Sequence, residues 1–154
     1  RRQVMTTVFD VPADKLIDKV ALQLKKDKTF TPPEWSTAVK TGVHKDKAPI
    51  QDDWWYIRTA AIFRKVYVKG PIGLMHLASE FGGPRDRRVK PNQARMGSRA
   101  IIRKSLQQLE LAQFVETKKG KGRVITSKGQ SFLNKASHDV LKEIIKEYPE
   151  LGKY

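Results

Sequence analysis

Residues 52–70 are the segment that most limits what this chain can fold into, and their sequence is DDWWYIRTAAIFRKVYVKG. Aromatic and aliphatic side chains recur there at helical spacing and cover most of the circumference of a helix. Asp52 or Asp53 can cap the N-terminus, and Gly70 followed by Pro71 ends the helix. Since such a helix must be covered on several sides, we predict that it is the central helix of the domain.

The charges of this central helix form a line. Arg58, Lys65 and Lys69 lie within about 40° of one another on a helical wheel. These cations must either form ion pairs inside the fold or reach solvent beside the packed faces.

The rest of the composition excludes several classes of protein. The length of 154 residues with 39% apolar residues suits one domain, which we expect to span 1–154. No apolar run approaches the roughly 20 residues of a membrane span, and no signal-peptide core is visible near the N-terminus. The absence of cysteine excludes disulfides and thiolate zinc sites and fits an intracellular protein.

The net charge of +15 is concentrated in one part of the chain. Residues 82–128 contain 13 Lys and Arg against 3 Asp and Glu, whereas residues 129–154 are balanced at four of each. A local positive field of this size favours a polyanionic partner, and nucleic acid comes before a membrane surface or an acidic protein. No amphipathic segment with aromatic anchors accompanies the basic run, so we expect no membrane partner.

The N-terminal third predicts an arm and two helices. Residues 1–9 have no helical period and read as an extended arm, and a first helix follows near Val11-Pro12 with Asp10 as its cap. Residues 31–35 predict a second, short helix that begins at a Thr cap and ends by Gly42. Trp35 is expected in the core, and residues 43–51 are expected to form a loop.

After Gly70-Pro71, residues 72–83 predict a helix of two to three turns that closes at Gly82-Gly83. Residues 84–94 contain two prolines and predict a loop. The loop is rich in cations that are candidates for contact with nucleic acid, namely Arg85, Arg87, Arg88 and Lys90.

A basic helix predicted from Asn92 or Gln93 to Gln113 is the strongest functional candidate. Arg95, Arg99 and Arg103 recur at i, i+4 and i+8 on one face, and Lys104 adjoins them. Arginines one turn apart repel each other, and their planar guanidinium groups suit phosphate. The alternative is a face paired with acidic residues from another element.

Two short β-type runs, 114–117 and 123–126, predict a hairpin, because the connecting KKGKG supplies two glycines for the turn. Its tip is cationic, with Lys118, Lys119, Lys121 and Arg123. A final helix begins at Thr126-Ser127, carries a continuous apolar stripe and ends before Pro149.

The order helix, helix, basic helix, hairpin, helix predicts a mainly α fold. This order of elements is that of a winged helix-turn-helix-like helical bundle around the central helix, with one small β-hairpin. Residues 52–148 would form this core, residues 10–50 the N-terminal helices and residues 1–9 the arm.

Catalytic patterns are missing from the sequence. The three histidines are far apart, no metal-binding spacing occurs, and there is no nucleophile elbow or glycine-rich phosphate loop. We therefore expect neither an enzyme nor a cofactor or metal.

A set of short motifs together resembles the nineteen-e family of small-subunit ribosomal proteins, which occurs in archaea and eukaryotes. The resemblance extends from about Val8 to the last helix, and the DDWWYIR form and the EYPEL end are similar to the archaeal branch. The motifs are PEW at 33–35, HK at 44–45 with AP at 48–49, WWYIR at 54–58, RKVY at 64–67, GPIG at 70–73, GG at 82–83, IRK at 102–104, LQQL at 106–109, and GRVIT at 122–126 with Gly129.

The resemblance implies a winged-helix-related protein in the head of the small ribosomal subunit, bound to the 3′ major domain of its RNA beside other head proteins. It also implies a role in subunit maturation. It assigns RNA-contacting roles to Arg58, Arg64, Arg103 and Lys104, and Lys65 beside Arg64 is a further candidate. Ala61 stands where the family commonly has serine, so a hydrogen bond from that position is not expected.

The main hypothesis is thus an RNA-binding structural protein of the ribosome that is monomeric when free. The alternative is a winged-helix regulator that binds DNA, because a fold of this kind does not decide between the two.

Overall fold

A computed structural model of the chain describes residues 6–37, 53–87 and 89–148. Five α-helices and two antiparallel hairpins make up these ranges. The helices are α1 (Ala13–Lys25), α2 (Trp54–Lys69), α3 (Leu74–Glu80), α4 (Arg99–Leu111) and α5 (Ser127–Glu147). The hairpins pair β1 (Gly83–Arg87) with β2 (Lys90–Arg95) and β3 (Val115–Lys118) with β4 (Gly122–Ile125).

Helix α2 is the central helix, as predicted, and both α1 and α4 pack against it. Six of its side chains are buried, namely Trp55, Thr59, Ala60, Ile62, Phe63 and Val66. The predicted cap is wrong for Asp53, whose side chain accepts no hydrogen bond from the first turn. Its backbone is not in the extended conformation that a capping side chain requires. Asp52 lies outside the described residues.

Residues 6–10 pack on the body of the protein. Val8 is fully buried in a 3₁₀ turn, Val8–Asp10. The Asp10 carboxylate accepts a 2.8 Å hydrogen bond from the backbone N–H of Thr7, so it stabilises this turn. The prediction that Asp10 caps the first helix is therefore wrong, and α1 begins after Pro12 instead.

Within the described part of this segment, residues 31–37, a 3₁₀ turn, Glu34–Thr37, appears where a short second helix was predicted. The Thr31 hydroxyl donates to the Lys28 carbonyl at 2.7 Å and does not cap this turn. The predicted end at Gly42 and the loop 43–51 lie outside the described residues. Trp35 is 39% exposed and packs edge-on against Trp55 at 5.9 Å between ring centroids, so its placement in the core is wrong.

Helices α2, α3 and α4 followed by the β3–β4 hairpin form the winged module, which confirms the predicted fold class. Ile72, between α2 and α3, pairs with Arg123 of β4 through two backbone hydrogen bonds of 3.0 and 2.8 Å. This bridge adds a short third strand segment to the wing and ties it to the helical body.

Residues 83–95 form a second hairpin where a loop was predicted. Pro84 and Pro91 favoured the loop because proline lacks a backbone N–H. In a ribbon of two strands, however, each strand has an unpaired edge at which proline is tolerated. The register is irregular between Arg85 and Arg87. This hairpin occupies the connection between α3 and α4, so α4 begins at Arg99 and not near residue 92.

The core is built around stacked aromatic rings. The ring centroid of Phe114 lies 5.2 Å from that of Phe63 and 4.8 Å from that of Phe132. The ring of Phe30, from the segment that follows α1, stacks on Phe114 with the centroids 6.2 Å apart. Helix α5 is capped by Thr126, whose hydroxyl accepts a hydrogen bond from the backbone N–H of Gly129, as predicted. None of the helices in the described ranges has the length and hydropathy of a membrane span.

Candidate nucleic-acid interface

Helix α4 presents one exposed cationic face. Ile101, Ile102, Leu106 and Leu109 are buried, and the amphipathic spacing leaves Arg99, Arg103 and Lys104 exposed. The Ser98 hydroxyl caps the helix by accepting from the backbone N–H of Ile101 at 3.5 Å. We call Arg99, Arg103 and Lys104 the helix cations.

The helix cations have no carboxylate within ion-pair distance in the described part of the chain. The one recorded side-chain contact of Arg99 there is a 3.7 Å approach of Nη1 to the sulfur of Met75. The alternative of a face paired with acidic residues from another element therefore finds no support at these three positions. Like charges one turn apart on an exposed face are stabilised by an external anion.

Arg95 does not share this face, because it ends strand β2 and is not helical. The predicted series of three arginines on one helix is therefore wrong at its first member. Arg95 pairs in register with Gly83 at the base of the hairpin, four residues before Arg99. It stays close to the N-terminal end of α4 in the chain, as part of a different element.

The wing tip carries Lys118, Lys119 and Lys121, all exposed. The turn closes through a 3.1 Å hydrogen bond from the backbone N–H of Lys121 to the carbonyl of Lys118. Gly120 and Gly122 have φ values of +77° and +97°, which confirms that both glycines supply the left-handed conformations of this turn.

Arg123 joins the wing to α4. Its Nε lies 2.8 Å from Glu110 Oε1, but the N–H direction misses hydrogen-bond geometry, so the contact is an ion pair. The same Glu110 oxygen accepts a hydrogen bond from the Thr117 hydroxyl of β3. Arg123 thus fixes the wing against the helix, while the tip lysines remain exposed.

The β1–β2 hairpin brings further cations to the N-terminal side of α4. Arg85 and Arg87 lie on β1 and Lys90 on β2, whereas Arg88 lies outside the described residues. Val89 in the turn is 98% exposed, so the tip of this hairpin stands clear of the described body. The hairpin is therefore a second projecting basic element.

On the central helix, Arg58 and Arg64 have different surroundings. The Arg58 guanidinium lies 4.6 Å from the centre of the Phe81 ring, and burial lowers its pKa from the usual value. Arg58 thus links α2 to the end of α3. The Nε of Arg64 is buried and has no hydrogen-bond partner among the described residues, although the residue as a whole is partly exposed.

The rest of the predicted cationic line is ion paired. Lys65 and Lys69 lie 3.3 and 3.1 Å from the two carboxylate oxygens of Glu80 at the end of α3. The hydrogen bonds from Lys69 and then Lys65 lower the pKa of Glu80. Of the predicted site residues, Lys65 therefore already has an intramolecular partner.

The surface where α1 meets α5 is balanced in charge. Lys15 and Lys19 of α1 pair with Glu147 and Glu143 of α5 at 3.8 and 3.1 Å. Within the described ranges, no three metal-ligating side chains lie together as a group that could hold a metal ion. Positive charge is thus concentrated on α4, on the wing and on the β1–β2 hairpin, which is inserted between α3 and α4.

Sequence reasoning did not single out Glu110 or Met75, the side chains that touch Arg123 and Arg99. No motif marks either residue. An acidic residue followed by a basic β-strand is compatible with many arrangements, and Met75 reads as an ordinary core residue of a short helix. Only the packing of α3 and the wing against α4 reveals these contacts.

The sequence is similar to that of known proteins over nearly the whole chain. The Ribosomal protein S19e family matches residues 7–143. The small ribosomal subunit protein eS19 of Thermoplasma acidophilum is 41% identical over 150 residues, which cover 97% of this chain and 99% of that protein. The eS19 protein of Haloarcula marismortui is 41% identical over 154 residues with the same coverage.

The similarity extends to eukaryotes, since the eS19A protein of Schizosaccharomyces pombe is 38% identical over 137 residues, covering 89% of this chain and 95% of that protein. These names are those of ribosomal proteins and not of enzymes, which agrees with the expectation from the sequence. The archaeal similarity over nearly the full length also agrees with the motifs. The chain belongs to the Ribosomal protein S19e family.

Proposed function

We propose that this protein is a structural constituent of the small ribosomal subunit that binds ribosomal RNA in the cytoplasm. Its site would be the head of the subunit, on the 3′ major domain, where it supports assembly, maturation and translation. The observation that carries the proposal is the set of exposed helix cations, which have no carboxylate partner within the described ranges. The similar proteins are named as small ribosomal subunit proteins, and this supports a place in the ribosome.

RNA suits this surface better than a DNA operator does. A helix-turn-helix that reads DNA joins its second and third helices by a turn of about 3–4 residues. Here residues 81–98, eighteen in number, separate α3 from α4 and contain a hairpin. The three basic elements therefore form a broad, uneven surface. Such a surface fits the backbone and 2′-hydroxyls of folded RNA, whose deep major groove conceals the base edges.

Each basic element has its own role in this proposal. Arg99, Arg103 and Lys104 contact phosphates along α4, and Lys118, Lys119 and Lys121 grip an adjacent backbone. The hairpin cations Arg85, Arg87, Arg88, Lys90 and Arg95 extend the contact on the N-terminal side. Arg64, which is partly exposed as a residue, contacts the RNA, while Arg58, Lys65 and Arg123 act mainly by holding their elements in place.

A salt titration of RNA binding tests the proposal. The probe is a folded transcript of the 3′ major domain of small-subunit RNA. The slope of log K against log salt is negative, and each lost phosphate contact makes it shallower by roughly one unit. R99Q/R103Q should therefore make the slope shallower by about two units. The control K135Q/K142Q removes the same charge from exposed positions of α5 and should leave the slope nearly unchanged. An unchanged slope in R99Q/R103Q contradicts the assignment.

Competition with duplex DNA, together with sedimentation, tests the alternative function. We expect a monomer that prefers the folded transcript over a duplex of operator length. A dimer that prefers a defined duplex would instead indicate a DNA-binding regulator, because half-site recognition requires a two-fold protein.

A further inference from the structure

Two methionine side chains are half exposed between the basic elements. Met75 of α3 is 48% exposed, and Met96, between β2 and α4, is 43% exposed. The guanidinium of Arg99 approaches the sulfur of Met75 at 3.7 Å, which places the pair at the N-terminal end of the cationic face of α4. Apolar area is therefore present in the middle of a positively charged surface.

The two methionines line an open groove at the base of the inserted hairpin. One part of the groove, of about 590 Å³, is lined by Leu74, Met75, His76, Ser79 and Met96 among others. The adjoining part, of about 320 Å³, shares Ser79 and Met96 and reaches Arg95. Volumes of this size are sufficient for a planar heterocycle of one or two rings.

Backbone contacts fix the walls of the groove. The N–H of Gly97 donates a 2.7 Å hydrogen bond to the carbonyl of Ala78, which joins the segment between β2 and α4 to α3. A Cβ atom on Gly82 would meet the carbonyl oxygen of Arg95, and one on Gly97 would lie 2.9 Å from that of Phe81. The walls are thus held by close backbone packing, whereas the methionine side chains that line the groove are flexible.

We propose that this groove, which we call the methionine groove, receives an unpaired base of the RNA bound by the helix cations. The thioether of methionine is polarisable and packs well against aromatic rings. RNA-binding proteins commonly take up bases that are splayed out from loops and bulges. The inference rests on the proposed function, since it assigns the base-recognition part of the same interface.

Charge and position favour a nucleotide over a protein side chain as the occupant. Arg99 lies against one methionine and Arg95 lines the far end, so the phosphates that flank an inserted base find cations nearby. The ring nitrogens of His76 and the hydroxyl of Ser79, both on exposed residues, offer hydrogen bonds to the edge of the base. The groove is also continuous with the cationic face of α4.

Methyl NMR of the full chain tests the proposal directly. The sequence has three methionines, so protein labelled with ¹³C in the methionine methyl groups gives three signals, which M75L and M96L assign. On addition of the 3′ major domain transcript, the signals of Met75 and Met96 should move upfield, because a stacked base shields the methyl groups through its ring current. If the transcript binds while both signals stay in place, the proposal is wrong and the proposed function stands. If the transcript does not bind, the proposed function fails as well.

A pair of variants provides an independent measurement. M75Q/M96Q should weaken transcript binding by roughly tenfold with an unchanged salt slope, since it removes stacking and no phosphate contact. The control L22Q changes a similarly exposed residue of α1, 59% exposed, and should bind normally. Equal losses in both variants, or none in M75Q/M96Q, contradict the proposal. A loss seen only in particles that contain other ribosomal proteins would indicate a protein occupant and also contradict it.

Discussion

The indole Nε1 of Trp55 donates a 3.0 Å hydrogen bond to Oε1 of Gln108, and this contact joins the central helix α2 to the cationic helix α4. The other end of the same amide donates to the backbone carbonyl of Thr31 at 2.9 Å. The side chain of Gln108, which is 5% exposed, therefore joins three segments, namely α4, α2 and the segment around Thr31. A second buried contact, 3.3 Å between the hydroxyls of Thr59 and Ser105, reinforces the same helix pair. These polar contacts set the register in which α4 presents its cations.

Replacing Gln108 with methionine should destabilise the protein by about 1–3 kcal/mol. The side chain keeps its length, but the buried indole N–H of Trp55 loses its partner, which costs about 1–3 kcal/mol, whereas the carbonyl of Thr31 belongs to an exposed residue and can turn to water. Urea denaturation measures the free energy of unfolding. The neighbouring Q107M, at an exposed position of the same helix, should change it by less than about 0.5 kcal/mol. Equal effects of the two substitutions would show that the amide contacts do not matter.

Arg58 and Arg64 should separate stability from RNA binding. R58Q removes the guanidinium from the Phe81 ring and should cost about 1–2 kcal/mol, the range for a partly desolvated cation–π contact. R64Q should change stability by less than about 0.5 kcal/mol, because its Nε has no partner within the described ranges, yet it should weaken binding of the 3′ major domain transcript.

Denaturation and binding measured on the same two variants check this division. R58K serves as a further variant, because an ammonium does not replace the planar guanidinium on the ring face and should lose most of the stabilisation as well. If R64Q unfolds more readily than R58Q, the assignment of the two roles is reversed.

The elements that could be predicted from sequence are those with a strong local signal. The apolar period of α2, the stripe of α5 and the two glycines of the wing each specify one structure, and all three are found. The 83–95 hairpin could not be predicted in this way, since its strands are polar and contain Pro84 and Pro91. Its strands are set by cross-strand pairing and by the Gly82 and Gly97 contacts, which are tertiary.

The part of the candidate site that lies on a strongly periodic helix could be predicted, whereas the parts that depend on helix caps and tertiary contacts could not. The exposure of Arg99 and Arg103 follows from the helical period of α4, because Ile102 and Leu106 face the core. Arg95 was misplaced because the start of α4 depends on the Ser98 cap, and the sequence before it resembles a basic helix equally well. The pairing of Lys65 and Lys69 with Glu80 requires α3 to lie beside α2, which no local pattern specifies.

Glu80 should make stability depend on pH at the acid end. Lys69 and Lys65 lower the pKa of its carboxyl in the folded protein, below the ordinary value of 4.5. A lowered folded-state pKa means that the stabilisation is fully present above the unfolded-state value and is lost as pH falls through the folded-state value. The difference in melting temperature between wild type and E80Q should therefore be constant near neutral pH and shrink below about pH 4.5.

Thermal denaturation across that pH range provides the measurement. E116Q is a matched control, because Glu116 is exposed on β3 and forms no ion pair in the described ranges. Added salt should reduce the effect of E80Q, since the pairs are partly exposed and therefore screened. A difference between wild type and E80Q that persists unchanged into acid would contradict the ion-pair explanation.

Gly122 and Gly120 should differ in how much alanine costs at each. Both have positive φ, at +97° and +77°, where a Cβ atom costs about 1–3 kcal/mol. At Gly120 the new methyl group would meet nothing within 4 Å, whereas at Gly122 it would lie 2.7 Å from the backbone of Ile72. G120A should therefore lose about 1 kcal/mol, and G122A should lose more, because the bridge between Ile72 and Arg123 must also open.

Urea denaturation measures the two losses in stability. Transcript binding by the folded fraction should fall only in G122A, whose wing is displaced. Equal losses in the two variants would show that backbone strain alone, and not the contact with Ile72, makes glycine necessary in the wing.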